Sequence, residues 1–328
     1  MTNEPIIALK GLSKRYGSLR AVHELNLEIY PGEVFGLLGP NGAGKTTTIL
    51  MMLGLTEPSA GMARVCGYDA TRNPIAVKRT VGYLPDRVGF YGQMSALENL
   101  KFIAQLNGLS LQEAENRSLE LLDLVGLQQA QDKAVSTFSR GMLQRLGLAD
   151  VLIKQPQVII LDEPTLGIDP SGVNDFLQLI RRLSRQQHLT VLLSSHHLQQ
   201  VQKVCDRVGI FVQGELLVEG SIDTLAQQLW AKDGHTTQIR LGKQAEISPE
   251  LKTALAQLKG YQDMSLQADI LQIQMQQEQT PEIVRLLVAH KLDILEVKPR
   301  QYGLDEIYET YFKGQQPIHN NKETLSRK

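Results

Sequence analysis

The chain has 328 residues, 42% of them hydrophobic, and its 34 Lys and Arg against 35 Asp and Glu leave a net charge of −1. That length suits two domains, the apolar content is too high for a disordered chain, and the neutral balance argues against nucleic acid as a bulk electrostatic partner. No apolar run approaches the roughly 20 residues that cross a bilayer, and the opening "MTNEPIIALKG" lacks the features of a secretory signal. A cytoplasmic chain is therefore expected. Cys66 and Cys205 show no metal-ligand spacing and read as ordinary reduced thiols.

Along the chain, the first thirty residues carry short alternating runs such as "LNLEIYPGE", which suit an antiparallel sheet. "EVFGLLG" reads as a strand and leads through a Gly-rich loop into the helix-like "TTILMMLGL". Ser95 can cap a helix at "ALENLKFIAQL", and Ser110 with Glu113 forms a capping box before "LQEAENRSLELLDLV". Ser139 opens a further helix, with "MLQRLGLADVLI" running behind it. "PQVIILDEP", "LTVLLSSH" and "RVGIFV" are strands, mostly apolar throughout, as parallel strands covered on both faces must be. "GIFVQGELLVEG" closes this region as a hairpin.

Composition shifts after about residue 232, where "AKDGHT" makes a turn-rich linker and Gln becomes frequent. Beyond it the pattern predicts a strand at Thr237–Leu241, a helix at Pro249–Leu258, two strands within Tyr261–Gln274, a helix at Pro281–His290 and a strand at Leu292–Val297. That βαββαβ order suits a small ferredoxin-like unit. A last helix is expected at "YGLDEIYETYF", and the polar end reads as disordered. The domains expected are 1–232, 233–313 and a tail, 314–328.

Gly39, Gly44, Lys45 and Thr46 within "GLLGPNGAGKTTT" fit G-x-x-x-x-G-K-[ST] between a strand and a helix, the context that the phosphate-loop motif demands. The backbone N–H groups of Gly39, Pro40, Asn41, Gly42, Ala43, Gly44, Lys45, Thr46 and Thr47 (Pro40 lacking one) lie in the stretch that would wrap the phosphates. Lys45 would reach the β- and γ-phosphates and Thr46 would hold Mg²⁺. At the end of a buried strand, Asp162 would complete the Mg²⁺ site and Glu163 would serve as general base for the attacking water.

With these motifs, "SRGMLQR", "LGIDP", "SSHHL" and "KRYGS", in that setting and order over roughly Ile6 to Ser221, the chain resembles an ATP-binding cassette (ABC) ATPase, and its C-terminal unit resembles the one appended to ATPases of the ABC-2 exporter group. The resemblance implies an α/β fold: a phosphate-loop NTPase domain with a mixed-sheet core, an antiparallel N-terminal sheet and a helical signature subdomain, followed by the small α+β unit. It implies ATP and Mg²⁺ as cofactors and a homodimer in which Ser139, Arg140 and Gly141 cover the nucleotide held by the other copy. Tyr16 would stack on adenine, His196 would contact the γ-phosphate, and Asp169 would organise contacts across the dimer, while His197 is structural.

Three positions depart from the family's commonest pattern. Asp86 stands where Gln is usual; one methylene shorter and without an N–H donor, it would act on Mg²⁺ through a water or by orienting a group that holds the metal. Arg140 replaces a Gly and is expected to point to solvent, and Met142 replaces a Gln. With no span of its own, the chain would sit on the cytoplasmic face of the membrane through a separate permease, as the motor for export. "DRVGFYGQM", with Phe90, Tyr91 and Met94, is either the docking surface for that permease or a locally packed loop. An importer motor, or a cassette ATPase acting on DNA or ribosomes, is the alternative.

Overall fold

The computed structural model describes residues 4–242 and 247–299, together with Leu304, Ile307, Tyr308 and Thr310. They form two compact units, one up to Ser221 and one from Ile222 to Thr310.

The first unit opens as the alternation of apolar residues requires. Strands β1 (Ile7–Tyr16) and β2 (Leu19–Ile29) pair antiparallel. Then come β3 (Val34–Leu38), α1 (Lys45–Met52), β4 (Ala60–Val65) and β5 (Tyr68–Asp69). They are followed by α2 (Pro74–Thr80), β6 (Val81–Leu84), α3 (Ala96–Leu106), α4 (Leu111–Leu124) and α5 (Arg140–Leu152). The unit ends with β7 (Val158–Asp162), α6 (Pro170–Gln187), β8 (Thr190–Ser195), α7 (Leu198–Val201), β9 (Arg207–Val212) and β10 (Glu215–Gly220).

Two sheets result, in the orders β2-β1-β4-β5 and β10-β9-β3-β8-β7-β6. In the second, β9, β3, β8, β7 and β6 run parallel and only β10 is antiparallel. Every residue of β3, β7 and β8 is buried, which is why these stretches are apolar without alternation. Helix α1 joins the two sheets: its Ile49, Met51 and Met52 share one core with Ile7, Leu9 and Val65 of the first sheet and Phe35, Ile160 and Phe211 of the second. Both expected caps are present. Ser95 with Glu98 and Ser110 with Glu113 make complete capping boxes on α3 and α4, the first going beyond the single cap that the sequence suggested.

The second unit holds α8 (Ile222–Asp233), β11 (His235–Leu241), α9 (Pro249–Ala256), β12 (Tyr261–Gln267), β13 (Ile270–Met275), α10 (Thr280–Ala289) and β14 (Ile294–Pro299). The sheet order is β12-β13-β11-β14, all antiparallel, and from β11 onward the chain runs βαββαβ as expected. Alternate residues of β11 and β13 (Ile239, Leu241, Leu271, Ile273, Met275) pack against Leu251 and Leu255 of α9 and Ile283 and Leu287 of α10. The units divide at Ser221, so α8 groups with the second and not, as expected, with the first. The expected helix at residues 302–312 falls largely outside the described residues, though Leu304, Ile307, Tyr308 and Thr310 are helical; the tail 314–328 lies outside them altogether.

Candidate functional site

Ligands of open α/β sheets gather beyond the carboxyl ends of the parallel strands, and three neighbouring ends meet here. Leu38 of β3 pairs with Ser195 of β8, and Asp162 of β7 pairs with Ser194. The loop after β3, the acidic pair after β7 and the histidines after β8 are therefore delivered to one place. They border a cavity of about 830 Å³.

The loop's conformation depends on its glycines. Gly44 has φ +107°, and a Cβ there would lie 2.3 Å from the Ala21 carbonyl oxygen; a Cβ on Gly39 would lie 2.0 Å from that of Phe211. The loop then feeds α1, whose first residues Lys45, Thr46 and Thr47 line the cavity at the helix's positive dipole end. Lys45 is only 6% exposed, and its ammonium donates to the carbonyls of Gly39 (2.8 Å) and Pro40 (3.2 Å) and lies 3.3 Å from Oε1 of Glu163. The cation is thus held by groups at the rim of the loop, ready for a polyphosphate to take their place.

Thr46 donates from Oγ1 to Oδ2 of the buried Asp162 at 2.8 Å. Burial pushes the Tyr83 phenol up to about 12, with the charges of Asp162 and Asp86 adding to the effect. Negative charge converges at this point of the cavity. Among the described residues no three His, Cys, Asp or Glu side chains are arranged to hold a metal by themselves. Mg²⁺ takes one or two protein oxygens and completes its shell with phosphates and waters. Thr46 and Asp162 fit that role, and Asp86 lies at the wall of the same cavity.

Glu163 adopts φ +49°, an unusual conformation for a non-glycine residue and one that occurs at sites where function dictates geometry. Its Oε2 lies 2.8 Å from Nδ1 of His196. A carboxylate only accepts, so Nδ1 carries the proton and Nε2 is left on the far side of the ring. The His197 ring lies beside that of His196, centroids 3.9 Å apart and tilted by 41°, and partial desolvation, followed by the His196 charge, lowers its pKa although the residue is exposed.

Of the residues singled out in the sequence, Tyr16, Asn41, Gly42, Ala43, Gly44, Lys45, Thr46, Thr47, Asp86, Asp162, Glu163 and His196 line the cavity. Gly39 and Pro40 meet it through the carbonyls that hold Lys45. Tyr16 is 49% exposed at the wall, with the Lys14 ammonium over its ring, 5.0 Å from the centroid. Ser139, Arg140, Gly141 and Asp169 are not among the cavity's lining residues. Ser139 caps α5 by accepting from the Met142 amide at 3.3 Å, and Asp169 caps α6 by accepting from the Gly172 amide at 3.0 Å, a bond that lowers its pKa. Arg140 does not point to solvent as expected: Nη2 donates to the Asp86 carbonyl (2.9 Å) and Nε to that of Leu166 (3.2 Å).

Sequence reasoning missed Ser194. It is fully buried, its hydroxyl donates to Oδ1 of Asp162, and it accepts from the Glu163 amide at 3.1 Å. The only signal available was a polar residue at the end of an apolar strand, two places before His196. The loop holding Phe90, Tyr91 and Met94 is locally packed, with one ring left exposed. Buried Asn99 fixes its backbone at Tyr91, whereas the Tyr91 ring is 59% exposed and edge-on to Phe102 at 5.5 Å.

The family described as "ABC transporter" matches residues 22–166. The chain is 34% identical over 305 residues to the "Bacitracin transport ATP-binding protein BcrA" of Bacillus licheniformis, covering 92% of this chain and 96% of that protein. It is 32% identical to the "Linearmycin resistance ATP-binding protein LnrL" of Bacillus subtilis (strain 168), covering 92% and 97%. Among solved structures, one described as the ATP binding subunit of an ABC transporter aligns at TM-score 0.61 and 30% identity, over 68% of this chain and 93% of the other. A second, cbiO1 from Clostridium perfringens, described as part of the ABC transporter complex cbiONQ, aligns at 0.64 and 26%, over 70% and 94%.

Proposed function

The chain belongs to the ABC transporter ATP-binding family and is an ATPase subunit of such a transporter, and from that premise we propose that two copies close around two Mg-ATP to drive export through a separate membrane permease. The observation that carries this reading is the junction of Lys45, Glu163 and His196 beside Thr46 and Asp162, with Ser139 and Gly141 outside the lining of that cavity.

In this reading Lys45 leaves the carbonyls of Gly39 and Pro40 to bind the β- and γ-phosphates. Thr46 and Asp162 would hold Mg²⁺, which would supply charge neutralisation at the phosphate oxygens. Glu163 accepts the proton of the attacking water. The Nδ1–H of His196 holds Oε2 in place, leaving Oε1 as the oxygen nearest the phosphate side once Lys45 has moved to the nucleotide. The N-terminus of α5, with Ser139 and Gly141, supplies a second anion-binding helix end for the γ-phosphate of the partner copy.

Bacitracin transport and linearmycin resistance in the two named relatives support export as the direction. No helix among the described residues is long and apolar enough to cross a membrane, so attachment to its cytoplasmic face would come from the permease. Exposed Tyr91 suits that contact. Replacing Glu163 by Gln is expected to preserve ATP binding and slow turnover by about 10²- to 10⁴-fold, the scale of a lost general base. Near-normal hydrolysis by that variant would remove Glu163 from the role.

A further inference from the structure

Arg140 occupies a position where its family commonly has glycine, and its side chain is committed within its own subunit. It is the first residue of α5, immediately after the capping Ser139. Its guanidinium spans two loops, donating from Nη2 to the carbonyl of Asp86, after β6, and from Nε to the carbonyl of Leu166, after β7. Asp86 and Leu166 both line the nucleotide cavity. Leu166 closes a turn on Glu163, its amide donating to the Glu163 carbonyl at 3.1 Å. The arginine's methylenes lie over Gly167, where a Cβ would meet Cγ at 3.4 Å, and the next helical residue, Gly141, faces Ile168 at a similar separation. The start of α5 is therefore seated on the segment that leads away from Glu163.

Only a rigid, planar fork with several donors can hold two carbonyls from different loops in fixed directions; lysine offers one mobile nitrogen, and glycine none. We infer that Arg140 is a positioning residue that couples a subunit's own nucleotide cavity to the signature helix it presents to its partner's nucleotide, so that the two sites of the dimer sense each other. The inference rests on the head-to-tail dimer proposed above. When a nucleotide draws the Asp86 loop or the Glu163 turn inward, the fork carries α5 with it, and Ser139 and Gly141 move against the opposite site. Without Arg140, each cavity can fill while the helix facing the partner stays where it was.

The test compares the purified full-length native chain with Arg140→Ala and Arg140→Lys for ATPase rate against Mg-ATP concentration, ADP affinity and thermal midpoint. The native chain is expected to turn over cooperatively. In Arg140→Ala the Hill coefficient should fall towards one and kcat by about five- to twentyfold, the scale of an ordinary coupling between sites, with ADP affinity and thermal midpoint held. Arg140→Lys should recover only part of the loss. Native cooperativity in Arg140→Ala, or a thermal midpoint that falls along with its activity, would overturn the inference. So would full recovery by lysine, since that would mean a point charge acting on a phosphate. Mg-ATP-driven pairing of Glu163→Gln, measured alongside, separates the two claims. If that variant fails to pair, the dimer and the latch both fall; if it pairs while Arg140→Ala stays cooperative, only the latch does.

Discussion

Ser194 shows how one hydroxyl can set the geometry of two carboxylates. It donates to Asp162 and accepts from the backbone amide of Glu163, so it fixes both the carboxylate proposed to hold Mg²⁺ and the left-handed kink of the residue proposed as general base. Groups that orient a metal ligand commonly carry 10- to 100-fold of activity. Ser194→Ala is expected to lower kcat about tenfold and raise the Mg²⁺ concentration needed for half-maximal turnover, while Ser194→Thr keeps the hydroxyl and most of the rate. A titration with Mg²⁺ at saturating ATP checks this; an unchanged Mg²⁺ requirement in the alanine variant would assign Ser194 to packing alone. At this scale the legible residues were those in contiguous patterns: Lys45, Thr46, Asp162 and Glu163 are specified by their neighbours in sequence. Ser194 and the partners of Arg140 were not, because a cross-strand register and a contact between two loops decide what those side chains meet.

Helix α5 joins local and global constraints within thirteen residues. Its N-terminus carries the signature and its last turns carry Asp150, whose carboxyl burial pushes up to about 6 against the opposing field of Lys154. That lysine in turn donates to the Lys78 carbonyl, which ties the end of α5 to α2. Because the folded-state pKa is raised above the ordinary carboxylate value, the folded chain binds the proton more tightly than the unfolded one. The cost of the buried charge is absent below about pH 4, grows through the interval up to pH 6, and is fully present above it. Asp150→Asn is therefore expected to add about 1–2 kcal/mol of stability at pH 8 and almost nothing near pH 4. Urea unfolding at the two pH values reads the difference, and a gain independent of pH would contradict it. Elements with strong periodicity or caps, such as α3, α4 and the βαββαβ series, were legible in the sequence; their ends shifted by one or two residues because terminal turns answer to tertiary contacts. The placement of α8 was not legible, since a composition shift marks where residue usage changes and not where contacts divide.

At the scale of the whole molecule, the unit that extends to Ser221 holds every group assigned to nucleotide and metal, yet its signature residues are not part of the cavity. Within one subunit, Ser139 has only its own helix to cap. In the proposed dimer a second copy would give those residues their chemical purpose, and binding and cleavage of ATP would be turned into motion: a γ-phosphate between two helix N-termini would attract both subunits, and its release would leave like partial charges facing one another. The Glu163→Gln chain separates binding from cleavage, because Gln keeps the shape and hydrogen-bonding reach of the side chain while losing the base. Its mass in solution, measured by analytical ultracentrifugation with and without Mg-ATP, tests the proposal most directly. A shift from monomer to dimer that requires both ATP and Mg²⁺, and that reverses when EDTA removes the metal, is expected. A chain that binds Mg-ATP and remains monomeric, even in the presence of its permease, would contradict it.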